Sequence, residues 1–141
     1  MKKITLLILL SLFQYAFAHG TNKGIKVETV VKATKSWNGD KLPDYTKGKP
    51  QITILKITIA PHTKLPWHKH PYINAGVLLK GHLTVHSANN KVLKMKAGDP
   101  IVELVNKSHY GINEYDEPAV IMVFYAGELN KPVTVLDKTR K

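Results

Sequence analysis

The chain has 141 residues, no cysteine, and a formal net charge of +11 from 21 Lys and Arg against 10 Asp and Glu. The lack of cysteine excludes disulfide staples, thiolate metal sites and a lipid-modified N-terminal cysteine. The lysines are spread along the chain and not gathered in a block, so the positive balance reads as a solvated surface and not as a nucleic-acid footprint.

Lys2 and Lys3, the apolar run Ile4 to Leu10, and Ala16-Phe17-Ala18 follow the order of a secretory signal with an A-x-A cleavage site. Residues 1–18 are therefore expected to be a signal peptide, and the protein to be periplasmic or secreted. Ser11 and Gln14 interrupt the run, which falls short of the roughly 20 apolar residues of a spanning helix, so no stable membrane span is expected after cleavage. Cleavage would leave 123 residues with a formal charge of +9, enough for one domain with its own core.

Residues 19–49 read as an N-terminal extension. It has a flexible start over 19–24, a first strand from Lys26 to Val31, and a long loop over 36–50 punctuated by Gly39, Pro43, Gly48 and Pro50 and carrying Trp37 and Tyr45. From Gln51 the pattern becomes short strands between turn signals, with no helical periodicity. Gln51 to Ala60 is rich in Ile and Thr. Its apolar alternation changes phase between Ile54 and Leu55, which predicts a bulge or burial on both faces there. Pro61 to Pro66 breaks that strand, and Trp67 to Leu79 resumes extended structure. Gly81 turns the chain into His82–Ser87. Asn89-Asn90 marks a hairpin back into Lys91–Met95, and Gly98 marks another turn. Ile101–Val105, His109–Glu114 and Ala119–Tyr125 complete the core over 50–127. Residues 128–141 read as a C-terminal strand and basic tail. The fold class is all-β, a sandwich or barrel.

His68 and His70 form a His-x-His pair. On a strand, residues two apart share a face, so both imidazoles project into one space. His109 opens a later predicted strand, and the hairpin between can bring the two strands together. Three neutral imidazoles suit one divalent transition metal: Zn, Cu, Ni, Fe or Mn.

The stretch from His62 to Gly81 resembles the first motif of the cupin family, G-x5-H-x-H-x3,4-E-x6-G, reading His62, His68-Lys69-His70, Asn74 and Gly81 at the same spacing. Gly98 to Asn113 resembles the second, G-x5-P-x-G-x2-H-x3-N, reading Gly98, Leu104-Val105-Asn106, His109 and Asn113. The resemblance implies a single jelly-roll-like cupin barrel with a metal inside its mouth, held by His68, His70 and His109. Asn74 stands where the family has its ligand Glu. It is expected either to bind through its carbonyl oxygen or to hydrogen-bond a metal-bound water. His62, Leu104 and Asn106 also depart from the motifs. Without a carboxylate, the site is expected to favour Zn, Cu or Ni. The family also implies a homodimer through its sheets.

Leu83 and Val85 are expected to face the core, which puts His82 and His86 on the surface, with His62 in an exposed turn. Glu103, the acid within an apolar run, is a candidate catalytic acid or base at the barrel mouth. Trp67, Tyr72 and Tyr110 flank the ligands and are candidates to line a substrate pocket. Met95 and Met122 read as core filler. Two functions follow from the resemblance. One is a metal-dependent small-molecule enzyme, a dioxygenase-like oxidoreductase. The other is a non-catalytic envelope protein that binds a metal or small ligand.

Overall fold

A computed structural model describes residues 24–140. The expected signal peptide, residues 1–18, lies outside the described residues. Ten strands follow: β1 (Pro50–Ile59), β2 (Thr63–Lys64), β3 (His68–Lys69), β4 (Asn74–Lys80), β5 (His82–Ser87), β6 (Val92–Lys96), β7 (Pro100–Val102), β8 (His109–Asn113), β9 (Ala119–Glu128) and β10 (Val135–Leu136). Among the described residues no helix is long and apolar enough to cross a membrane.

The strands form two antiparallel sheets, as the all-β reading expects. One runs β1-β9-β4-β7; the other runs β10-β3-β8-β5-β6, with β2 added beside β8. Side chains alternate across each pleat, so each sheet buries one face against the other. Leu83, Val85 and Met95 from the second sheet meet Leu78, Ile101, Ile121 and Val123 from the first in one core. Fully burying a side chain of this size contributes about 1.5–3 kcal/mol.

Three local expectations are corrected. Lys26 to Val31 forms no strand, and Val27 is 87% exposed. Its valines find neither a partner strand nor a face to cover, which β-propensity alone cannot replace. The phase change in β1 produces no bulge. The β1–β9 register is unbroken from Pro50↔Glu128 to Ile59↔Ala119. Thr53, Leu55, Ile57 and Ile59 turn inward while Ile52 and Ile54 simply face outward, exposed. The irregularity lies instead in β4, between Leu78 and Lys80. Met122 is not core filler: it sits on the outward face opposite Lys56, beside an exposed Phe124. Met95 is buried as expected.

The two motif positions where this chain replaces the family's glycine keep the backbone shape that glycine favours. His62 has φ 53° and Asn106 has φ 56°, both left-handed. Asn and His are among the residues that enter this region most readily, so the turns survive the substitutions. The Asn106 turn has a direct use: its backbone N–H donates to the carbonyl of His70 at 2.8 Å.

Candidate metal centre

The second sheet places the histidines. His68 is the direct partner of His109 across the β3–β8 ladder, and His109 faces Ser87 on the other side of β8. His70 lies two residues beyond His68, on the same pleat face, and bridges to Val105. The three rings sit 4.5–5.0 Å apart, centroid to centroid. One ligand nitrogen of each lies within 4.8 Å of the other two, so the group could hold a metal ion. His70 and His109 are buried and His68 is half-buried.

Each ring is held by its other nitrogen. Nδ1 of His68 lies 2.8 Å from the carbonyl of Pro66, that of His70 3.0 Å from Val133, and that of His109 2.9 Å from Lys107. A carbonyl only accepts, so each Nδ1 carries the proton and donates it. In the neutral rings each Nε2 then presents a lone pair. Such outer hydrogen bonds fix the tautomer and orientation of metal-binding histidines. Burial holds all three imidazoles below their ordinary value, His70 at about 3. The rings are therefore neutral at physiological pH, the form that binds metals. His109 Nε2 is buried and has no hydrogen-bond partner among the described residues. A buried polar atom left without a partner calls for an explanation, and an ion at this point supplies one. The donor set fits a divalent transition metal.

The centre forms one end of a cavity of about 220 Å³ between the sheets. Leu55, Ile57, Leu65, Leu83, Val85, Ile121 and Val123 line its apolar wall. Glu103 and Tyr125 lie at the histidine end. Glu103 is 8% exposed, and burial pushes its carboxyl up to about 7. Its Oε2 sits 3.5 Å from His109 Nε2, and neither atom has a hydrogen bond among the described residues. The alternation of Ile101–Val105 points Glu103 inward, because Ile101 and Glu103 share a pleat phase.

Asn74 is fully buried and does not line the cavity. Its amide donates to the carbonyl of Tyr72 at 3.0 Å, while its Oδ1 has no hydrogen-bond partner among the described residues. The flanking aromatics are corrected: Trp67, Tyr72 and Tyr110 do not line this cavity. Trp67 and Tyr110 pack edge-on against each other at 4.6 Å outside it. His62 is exposed and pairs with Asp116 at 2.9 Å, as a turn residue should. His82 and His86 stay out of the metal group but are only half-exposed, because they stack on Tyr115 and Tyr110.

Sequence reasoning missed two parts of the site. Tyr125 is 2% exposed, with its ring 5.4 Å from His70. The inward phase shared by Ile121, Val123 and Tyr125 was its available signal. The segment around β10 contributes Thr134, Leu136 and the Val133 carbonyl. A backbone carbonyl leaves no mark in a sequence pattern.

This geometry, two packed antiparallel sheets with three inward histidines from two motif stretches, is that of a double-stranded β-helix whose pocket could hold a metal. A cupin-domain family model matches residues 55–125, and the chain belongs to the cupin family. No curated protein sequence matches the chain. Among solved structures, a DMSP lyase from Ruegeria pomeroyi aligns at TM-score 0.54 and 20% identity, over 60% of this chain and 42% of the lyase. An oxalate oxidase in complex with glycolate aligns at TM-score 0.51 and 22% identity, over 79% of this chain and 59% of the oxidase. A Klebsiella pneumoniae protein with a double-stranded β-helix domain aligns at TM-score 0.54 and 19% identity, over 67% of this chain and 90% of that protein. The chain thus spans less than half of the lyase, and likenesses at this identity establish the fold and not the reaction.

Proposed function

We propose that this cupin is an exported metal-dependent enzyme acting on a small molecule with an apolar body and one oxygen-bearing head. Dioxygenase-type oxidation is the leading reaction class. The observation that carries this reading is the set of three tethered imidazoles in a largely apolar cavity. His68, His70 and His109 would hold the metal through Nε2, and the ion when bound supplies a Lewis-acid centre for a substrate oxygen such as an enolate or catecholate. Leu55, Ile57, Val85 and Val123 would grip the apolar body and exclude water from the reacting end. A volume of about 220 Å³ lies below the roughly 300–1,000 Å³ of drug-sized sites, so the ligand is small. The family resemblance, and not the geometry, supplies the dioxygenase class and the homodimer.

The rival is a non-catalytic envelope protein that binds a metal or ligand. It drew support from the missing carboxylate at Asn74, and that support weakens once Glu103 is seen at the histidine end. Elemental analysis of protein recovered from the periplasm, followed by turnover of small enols and catechols with and without chelator, tests the reading. Turnover abolished by His70→Ala supports the enzyme, whereas tight ligand binding without turnover supports the rival. Export would be read from the same sample by mass spectrometry as a mature chain beginning at His19.

A further inference from the structure

We propose that Glu103 is the fourth protein ligand of the metal, so that the carboxylate missing at Asn74 is supplied from the adjacent strand. The inference rests on the metal-centre reading above and deepens it.

Asn74 and Glu103 are neighbours on paired strands. Ala75 faces Val102 in the β4–β7 register, and the N–H of Glu103 donates to the carbonyl of Asn74 at 3.1 Å. Moving the carboxylate from one to the other shifts it sideways by one strand, about 4.8 Å, and brings it 3.5 Å from His109 Nε2. The backbone of Glu103 is fixed on both sides, because Ser36 Oγ donates to its carbonyl at 2.7 Å. The same loop is also held to β7 by the Trp37 N–H, which donates to the Val102 carbonyl at 2.9 Å.

The side-chain geometry then discriminates. Glu103 Oε2 lies 3.5 Å from His109 Nε2. That nitrogen carries a lone pair, because the Nδ1 proton is committed to Lys107. With Glu103 ionised, two buried lone-pair atoms face each other with no donor between them. Such a contact is unfavourable when left alone and favourable across a cation. Two ligand atoms held about 2.0–2.2 Å from one ion at tetrahedral angles sit about 3.4 Å apart. The observed 3.5 Å matches that separation. Asn74 Oδ1 is likewise buried without a hydrogen-bond partner among the described residues, but Asn74 stays out of the cavity wall. A carboxylate in the set lowers the net charge of the centre and opens it to Fe and Mn beside Zn, Cu and Ni.

The test measures metal binding without turnover. The full-length mature protein, Glu103→Gln, Glu103→Asp and Asn74→Ala are each titrated with Zn(II) against a chromophoric chelator. Absorption spectra are recorded with Co(II), whose visible bands report the number and type of ligands, and circular dichroism checks the fold of each variant. Glu103→Gln is expected to lose at least about 10-fold in Zn(II) affinity and to change the Co(II) bands. Glu103→Asp should lie between it and the parent, and Asn74→Ala should stay within about 3-fold of the parent. If Glu103→Gln binds with parental affinity and spectrum while the parent binds tightly, this inference falls and the metal centre stands. A loss with Asn74→Ala and none with Glu103→Gln returns the ligand role to Asn74. A parent that binds no divalent metal overturns both.

Discussion

His68 and His109 are register partners on adjacent strands, with ring centroids 4.5 Å apart and each Nδ1 tied to a carbonyl two residues earlier in the chain. The backbone ladder that builds the sheet therefore also sets the spacing of two of the three rings that could hold a metal. The third ring arrives by the two-residue repeat of the same strand. Pre-arranged ligands lower the cost of ordering the site on binding.

Loading the site should stabilise the fold. Zn(II) at 100 times its dissociation constant is expected to add about 2.7 kcal/mol, read as a rise in melting temperature. His68→Ala, His70→Ala and His109→Ala should each abolish most of that rise. Each should lose more affinity than the roughly 10–100-fold typical of a lost outer hydrogen-bond partner. Unchanged metal-induced stabilisation in any one variant would remove that residue from the ligand set.

The pH dependence of the metal-free protein has a definite sign. In the unfolded chain the imidazoles take up protons near their ordinary value of about 6.5. Burial keeps the folded rings neutral to lower pH, down to about 3 for His70. Below about 6.5 the unfolded state thus binds more protons, and stability falls as pH falls. Glu103 works in the opposite direction: burial raises it to about 7, so folding gains from its protonated form, and that gain is lost as pH rises towards 7. In Glu103→Gln, where the opposing carboxyl is gone, urea midpoints should drop steadily from pH 6.5 to 4.5. A flat profile over that range would mean that the rings are not buried.

Val123→Phe would fill part of the apolar wall without touching a ligand. Metal affinity should stay within about 3-fold, while affinity for a small apolar ligand should fall at least 10-fold, about 1.4 kcal/mol. Calorimetry with metal and ligand added in turn separates the two effects. Equal losses in both would mean that the substitution distorts the barrel.

How much of this was legible beforehand can be traced to particular residues. Period-two alternation and the His-x-His spacing exposed the sheets and the ligand set, because each depends on one strand at a time. Glu103 stood out as a lone acid in an apolar run, yet its place beside His109 depends on how β7 lies against the other sheet. No sequence window contains that relation. Lys26 to Val31 misled for the converse reason: its valines favour extended structure, but no neighbour is there to pair with them. Trp67 and Tyr110 misled through proximity in sequence, since adjacent residues on a strand point to opposite faces.

Asn106 offers a check on the departed motif. Asn106→Gly should be neutral to within about 1 kcal/mol, because the lost strain of a left-handed residue offsets the added chain entropy. Asn106→Val places a branched side chain at φ 56° and should destabilise by about 1–2 kcal/mol. It should also weaken metal binding, since the Asn106 N–H holds the His70 carbonyl. Chemical denaturation of both variants measures the difference; equal stabilities would mean that the turn relaxes to another shape.

His70 takes its tautomer from Val133, sixty-three residues downstream, and β10 then zips onto β3 through Val135↔Lys69 and Leu136↔His68. Asp137 closes the seam by accepting from Ser108 and Thr139. The tail after β9 thus anchors the ring of His70 from outside the two motif stretches. Shortening the chain before Val133 would remove the acceptor of His70 Nδ1 together with the strand that pairs with β3.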